Sequence, residues 1–285
     1  MTPPPPMPWM LNLAGWGIVL LGIVMPVLVW VRWRRRQAAG FSIVRGIQAA
    51  PLRGIEFLQL LALIILAQSL FILAGVILRA LGFLKGEEHQ AFYLIVFQSL
   101  FYLVALGITR WFLRQTGKDW SRAFGLRASN FKNILVTAGV GLISILVPLQ
   151  VLILTTQILF DALHWPLDPQ PIIQMMLDVH DPGLRVGLIL VAVVGAPVVE
   201  EIFFRGLLYP CLKERFGFAH ALWINAALFA AFHRHGASAL PLFGLGMAFT
   251  LLYEWRGNLG ASILMHAGFN SFSMATLFLM EKYRP

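Results

Sequence analysis

The chain has one cysteine, Cys211, among its 285 residues. That excludes an intramolecular disulfide and a structural zinc site built on cysteines. Charge is scarce as well: Asp, Glu, Lys and Arg make up 12% of the residues, against 59% hydrophobic ones, and the mean hydropathy is +0.76. A soluble domain cannot hide that much apolar surface, so lipid must cover part of it. Acids are the scarcest charged class, 13 against 22 Lys and Arg. The resulting net charge of +9 reads as the cytoplasmic charge of a membrane protein facing anionic headgroups, and no nucleic-acid partner is expected.

Long apolar runs are abundant. The first, Trp9–Val31, precedes the cluster Arg32–Arg36. A signal peptide carries its positive charge before the apolar run, so this order predicts a membrane helix entering from outside. Seven more runs follow: Ile55–Leu78, Ala91–Leu113, Ile134–Phe160, Gly187–Leu207, Ala219–Phe232, Ala237–Tyr253 and Leu259–Met280. The predicted fold is all-α, a polytopic transmembrane bundle of about eight helices, of which the sixth and seventh are short. Residues 1–180 read as a divergent N-terminal set of membrane helices and 183–280 as the functional core. The Pro-rich stretch from Asp161 to Pro182 between them reads as an ordinary extramembrane loop or as a lid. The loop Arg110–Arg127 is basic, whereas the loops after the second and fourth runs are acidic or mixed, which places the N-terminus outside.

Two adjacent acids, Glu200 and Glu201, stand at the end of an apolar run. Such groups are costly near hydrocarbon and need a partner, a proton or water. Glu201 and Arg205 are four apart and can pair on one helix face. Glu200 points about 100° away and has no partner in its own run. The next run ends with Phe229 and His233 four apart, and Asn225 lies on the same face. The last contains His266 and Asn270, also four apart. With a turn at Gly217, Glu200 and His233 lie at nearly equal height on antiparallel arms, at about 1.5 Å per residue.

A carboxylate and an imidazole flanking one water can take its proton as it attacks a carbonyl. A second imidazole and an amide can donate to the developing oxyanion. No serine or cysteine lies within this set of residues to act as a nucleophile. There is no H-E-x-x-H, so the expectation is a metal-free site without a cofactor; zinc is the alternative, with Glu200, His233 and His266 as ligands.

"EEIFFR", "FAAFH" and "HAGFN" together resemble the three motifs of the CPBP family, the CAAX-protease and bacteriocin-processing family of intramembrane proteases. The resemblance covers about Gly187–Phe278. It implies a helical membrane bundle and a glutamate-dependent endopeptidase, in some descriptions a metalloprotease-type hydrolase, related to the type II CAAX prenyl endopeptidases. It further implies that Glu200 and His233 activate water and that His266 and Asn270 hold the oxyanion. Glu201, Arg205 and Phe229 would support the site. The partners implied are the bilayer and a peptide or protein substrate at the membrane, lipidated in the CAAX branch. Bacteriocin or pheromone processing is the other substrate class. A multi-pass protein of a bacterial inner membrane fits these features. The competing readings are a non-catalytic scaffold or bacteriocin self-immunity protein and, more remotely, an ion or proton pathway. The site is expected to open toward the cytoplasm.

Overall fold

The computed structural model describes Val24, residues 51–126 and residues 131–282. The run Trp9–Val31 and the arginine cluster after it therefore lie outside the described residues, apart from Val24. The rest is helical: α1 (Gly54–Ala80), α2 (Glu87–Gln115), a short α3 (Trp120–Ala123), α4 (Phe131–Ala162), α5 (Pro171–Asp178), the long α6 (Pro182–Phe232), α7 (Ala239–Arg256) and α8 (Leu259–Lys282). Six of these are long and apolar enough to cross a membrane, and the protein is a multi-pass, all-α membrane bundle. The fifth and sixth runs of the sequence are the two arms of α6, which breaks at Gly217 with φ 78° and ψ 171°. A left-handed φ is cheap only for glycine.

Local chemistry fixes the helix ends. Asp119 and Asp181 each cap a helix, accepting from the backbone N–H of Arg122 and Leu184. Gly257, at φ 60°, ends α7 with its N–H on the Tyr253 carbonyl. α1 buries only Phe57 and Leu60, while Ile65, Leu66, Leu70, Ile72 and Val76 are each more than half exposed. At roughly 1.5–3 kcal/mol per such side chain, water is excluded as the solvent of this face and lipid is required.

α6 carries two π-helical stretches, Val191–Gly195 and Ile202–Leu208. Pro197 and Pro210 follow them closely. A proline within a helix cannot donate, and its ring clashes with the carbonyl four residues back. Widening the preceding turn accommodates both effects. Glu200 and Glu201 lie between the two π stretches.

The bundle has two distinct ends. At one, Leu52, Phe112, Phe124, Tyr209, Tyr253 and Leu259 form one apolar cluster. Tyr209 and Lys213 both donate to Glu254 there, and the Leu259 N–H donates to Phe124. At the other, Ala91, Met176, Val179 and Leu188 pack together, Arg185 pairs with Glu281 at 3.0 Å, and Gln170 donates to Ser238. The segment from Asp161 to Pro182 holds α5 and is tied down at this second end, where Arg185 also donates to the carbonyls of Val179 and Leu177.

Candidate active site

The deepest polar layer is centred on Glu201, which is fully buried. Its Oε1 accepts from Arg205 Nη1 at 2.7 Å and from His266 Nδ1 at 2.9 Å, and its Oε2 accepts from Ser262 Oγ at 2.5 Å. Arg205 is also fully buried. Its Nη2 donates to the Gly246 carbonyl, and its guanidinium lies 4.3 Å from the centroid of Phe229. Thr250 Oγ1 sits beside it and accepts from Asn225 Nδ2. The close approach of α7 to the second arm of α6 depends on Gly246, where a Cβ would come within 3.0 Å of Ala226 Cα. Charge pairing and hydrogen bonds therefore compensate both buried ions, as burial of an ion pair requires.

Above this layer Glu200, His233 and His266 converge. Nε2 of each imidazole is 3.9 Å from Glu200 Oε2. The opposite ring nitrogen of each histidine is engaged: His233 Nδ1 is 2.8 Å from the Phe229 carbonyl, and His266 Nδ1 contacts Glu201. A carbonyl and an ionised carboxylate only accept, so Nδ1 carries the proton in both rings. Nε2 is then the lone-pair nitrogen in the neutral form. Phe249 stacks on His266 with centroids 4.6 Å apart and fixes its plane. Glu200 Oε2 is buried without a hydrogen-bond partner. Buried polar atoms are rarely left so, which marks this oxygen as available to a ligand or water.

Asn270 reaches the same cavity from α8, one turn beyond His266. Its Nδ2 donates to the Ala192 carbonyl at 2.7 Å. The π geometry explains why that carbonyl is free. The Ala196 N–H bonds Val191, five residues back, so the same pattern would assign Ala192 to Pro197, which has no N–H. One amide hydrogen of Asn270 is thus committed and the other remains for the cavity.

The cavity has a volume of about 670 Å³. Its walls come from both parts of the chain: Gln98 and Tyr102 on α2, Gln157 on α4, Asp168 and Gln170 before α5, and Phe269 and Ser273 on α8. The Tyr102 ring packs on Gly195 of the first π stretch, where a Cβ would lie 3.0 Å from it. The structure thus brings together Glu200, His233, His266 and Asn270 around the cavity, with Glu201, Arg205 and Phe229 beneath them. Asn225 joins the Arg205 layer and does not line the cavity. Ser262, Thr250 and Tyr102 escaped the sequence reading, because each is an isolated residue in an apolar run with no spacing to a motif. His235, read as a loop residue, lines the cavity mouth with Ser238.

The cavity opens toward one end of the bundle. From Glu200 the lining runs along α6 to Val191, along α8 to Met274, along α2 to Leu94 and along α4 to Gln157. All four directions lead to the end that carries residues 163–181. Toward the basic end, Arg205, Phe204, Phe229 and Phe249 close the bundle.

Residues 182–272 match the family model described as type II CAAX prenyl endopeptidase Rce1-like. Over this segment the chain is similar to the CPBP family of CAAX proteases. The match spans all three motifs, from before Glu200 to beyond Asn270. The family is one of intramembrane proteases acting on peptides at the membrane. Comparison with curated proteins and with solved structures gives no match.

The donor types of Glu200, His233 and His266 suit zinc, but their spacing does not form a cage. Ligands on a tetrahedral ion with bonds of about 2.0–2.1 Å would stand about 3.3–3.4 Å apart, against 3.9 Å from Glu200 Oε2 to each imidazole. Among the described residues no group of three His, Cys, Asp or Glu side chains has metal-holding geometry.

Proposed function

We propose that the protein is a CAAX-type intramembrane endopeptidase in which Glu200 and His233 activate water and His266 and Asn270 stabilise the oxyanion. The observation that carries this reading is the convergence of both imidazole Nε2 atoms, each at 3.9 Å, on a buried carboxylate oxygen that has no other partner. That distance is too long for a direct hydrogen bond. It is short enough for one water, at about 2.8 Å from each group, to bridge them.

Glu200 takes a proton from this water as its oxygen bonds to the scissile carbonyl carbon. His233 holds the water through its Nε2 lone pair. The carbonyl π electrons move onto oxygen. Donors on the α8 side meet that charge: the second amide hydrogen of Asn270 and the Nε2–H of His266, which enters the cycle as the imidazolium and leaves it unchanged. Glu201 orients this ring, because its carboxylate accepts from Nδ1–H. Collapse breaks the C–N bond, and the departing nitrogen takes the proton held by Glu200. A peptide, lipidated or drawn from a bacteriocin or pheromone precursor, is the substrate class.

The test is capture. Glu200→Gln protein, cross-linked in native membranes, is expected to retain peptides that wild-type protein cleaves, and mass spectrometry identifies them and the cut position. If wild-type and variant protein retain the same uncut peptides, the protein is a scaffold.

A further inference from the structure

We propose that Tyr102 is a further catalytic residue, whose hydroxyl donates to the scissile carbonyl oxygen from the side opposite Asn270. No motif marks this residue. It stands on α2, outside the segment 182–272 that carries the three motifs. Folding brings it to the cavity that holds Glu200, His233, His266 and Asn270.

The first π stretch of α6 sets its place. That stretch, Val191–Gly195, packs between α2 and α8. Asn270 reaches it from α8 and donates to the Ala192 carbonyl. Tyr102 reaches it from α2, with Cδ2 and Cε2 of its ring 3.0 and 3.1 Å from where a Cβ on Gly195 would stand. Ala192 and Gly195 are three residues apart, within one turn of α6. Two polar side chains from opposite helices thus flank one short stretch of backbone. Glu200 follows Gly195 by five residues, toward the closed end of the bundle. A carbonyl attacked by water above Glu200 lies between the two.

Packing accounts for the ring of Tyr102 and leaves its hydroxyl unexplained, because a phenylalanine would fill the space beside Gly195 equally well. Other hydroxyls of the bundle are spent within it. Tyr93 donates to the Phe71 carbonyl, Tyr209 to Glu254, and Thr156, in the cavity wall, to the Leu152 carbonyl. The Tyr102 hydroxyl interacts instead with the Gln98 side chain, one turn earlier on α2, and with the Glu200 carboxylate. Both of those groups line the cavity. A phenol keeps its proton at neutral pH and can donate it. As the water proton passes to Glu200 and the carbonyl electrons move onto oxygen, negative charge leaves the carboxylate and appears on the substrate. The strongest acceptor near Tyr102 changes with it. A donor that gains its best partner only then binds the transition state more tightly than the ground state. Tyr102 gives up no proton in this step.

This role rests on the peptidase reading. The test is cleavage of a prenylated CAAX peptide by purified full-length protein, with Tyr102→Phe and Tyr102→Leu beside wild type. Tyr102→Phe keeps the ring on Gly195, so its melting temperature and KM are expected to stay near wild type. Its kcat should fall by about 10–100-fold, the worth of one hydrogen bond to a charged group. A phosphinate analogue of the same peptide, tetrahedral at the scissile position, should lose affinity by the same factor, while the cleaved product binds as before. Wild-type kcat in Tyr102→Phe, with activity lost only in Tyr102→Leu, would reduce Tyr102 to a packing residue and overturn the proposal. A rise in KM with kcat unchanged would overturn it too, since the hydroxyl would then act in ground-state binding. If wild-type protein leaves the peptide uncut, the peptidase reading itself falls, and the role of Tyr102 falls with it.

Discussion

Glu201 holds His266 by Nδ1 at 2.9 Å and Arg205 at 2.7 Å with the same oxygen atom. One buried carboxylate thus sets the orientation of an imidazole and compensates a guanidinium. Glu200, its neighbour in sequence, keeps a buried oxygen without any hydrogen bond. The two adjacent acids are separated by about 100° around the helix, and this gives one a structural place and the other a place facing the cavity.

Loss of Glu201 should therefore unfold as well as inactivate. Glu201→Gln and Arg205→Ala each leave a buried charge without its partner, at a cost of about 3–5 kcal/mol. Thermal unfolding in detergent is expected to drop markedly for both. Wild-type stability with activity alone lost would show that Glu201 and Arg205 do not carry this layer.

Glu200→Gln should behave in the opposite way. Its Oε2 makes no native hydrogen bond, so the melting temperature is expected to stay near wild type. Peptide cleavage should fall by at least about 10²–10⁴-fold, the usual worth of acid–base help. His233→Ala should lose as much activity. Substantial cleavage by purified Glu200→Gln protein would remove Glu200 from the chemistry.

Asn270→Ala removes the Nδ2 donor to the Ala192 carbonyl, which the Pro197 turn leaves free. An unsatisfied buried carbonyl costs about 1–3 kcal/mol. The expected result is a moderate loss of stability and a drop in kcat with little change in KM. A KM effect alone would place Asn270 in ground-state binding.

Pro197→Ala tests the π stretch itself. A new N–H at position 197 can compete with Asn270 for the Ala192 carbonyl or let the turn tighten to α. Activity is expected to fall while unfolding stability holds or rises. Unchanged activity would show that the wide turn does not position Glu200.

Metal content is the remaining measurement. The proposed chemistry uses organic groups alone, so chelator-washed protein should keep its activity with far less than one equivalent of zinc. One equivalent that tracks activity would make Glu200, His233 and His266 ligands and require the cavity floor to contract from its 3.9 Å spacing.

Hydrophobic runs near the length of a bilayer determine that the chain spans membranes and where most helices lie, since length and apolarity are properties of a contiguous stretch. The pairs Glu201–Arg205, Phe229–His233 and His266–Asn270 were equally legible, because residues four apart share a helix face whatever surrounds the helix. Contacts between helices were not legible. That Glu201 turns to His266, that Ser262 joins it and that Asn270 binds Ala192 depend on the rotation of α6 against α8. Two wide turns reset that rotation, and hydropathy patterns do not record it. Tyr102 enters the cavity wall from α2 because Gly195 leaves room for its ring. The end of the bundle toward which the cavity opens was not legible for the same reason. Positive charge orients each segment, whereas the closing of one end by Arg205 and three phenylalanines is decided by packing, which exists only once the helices meet.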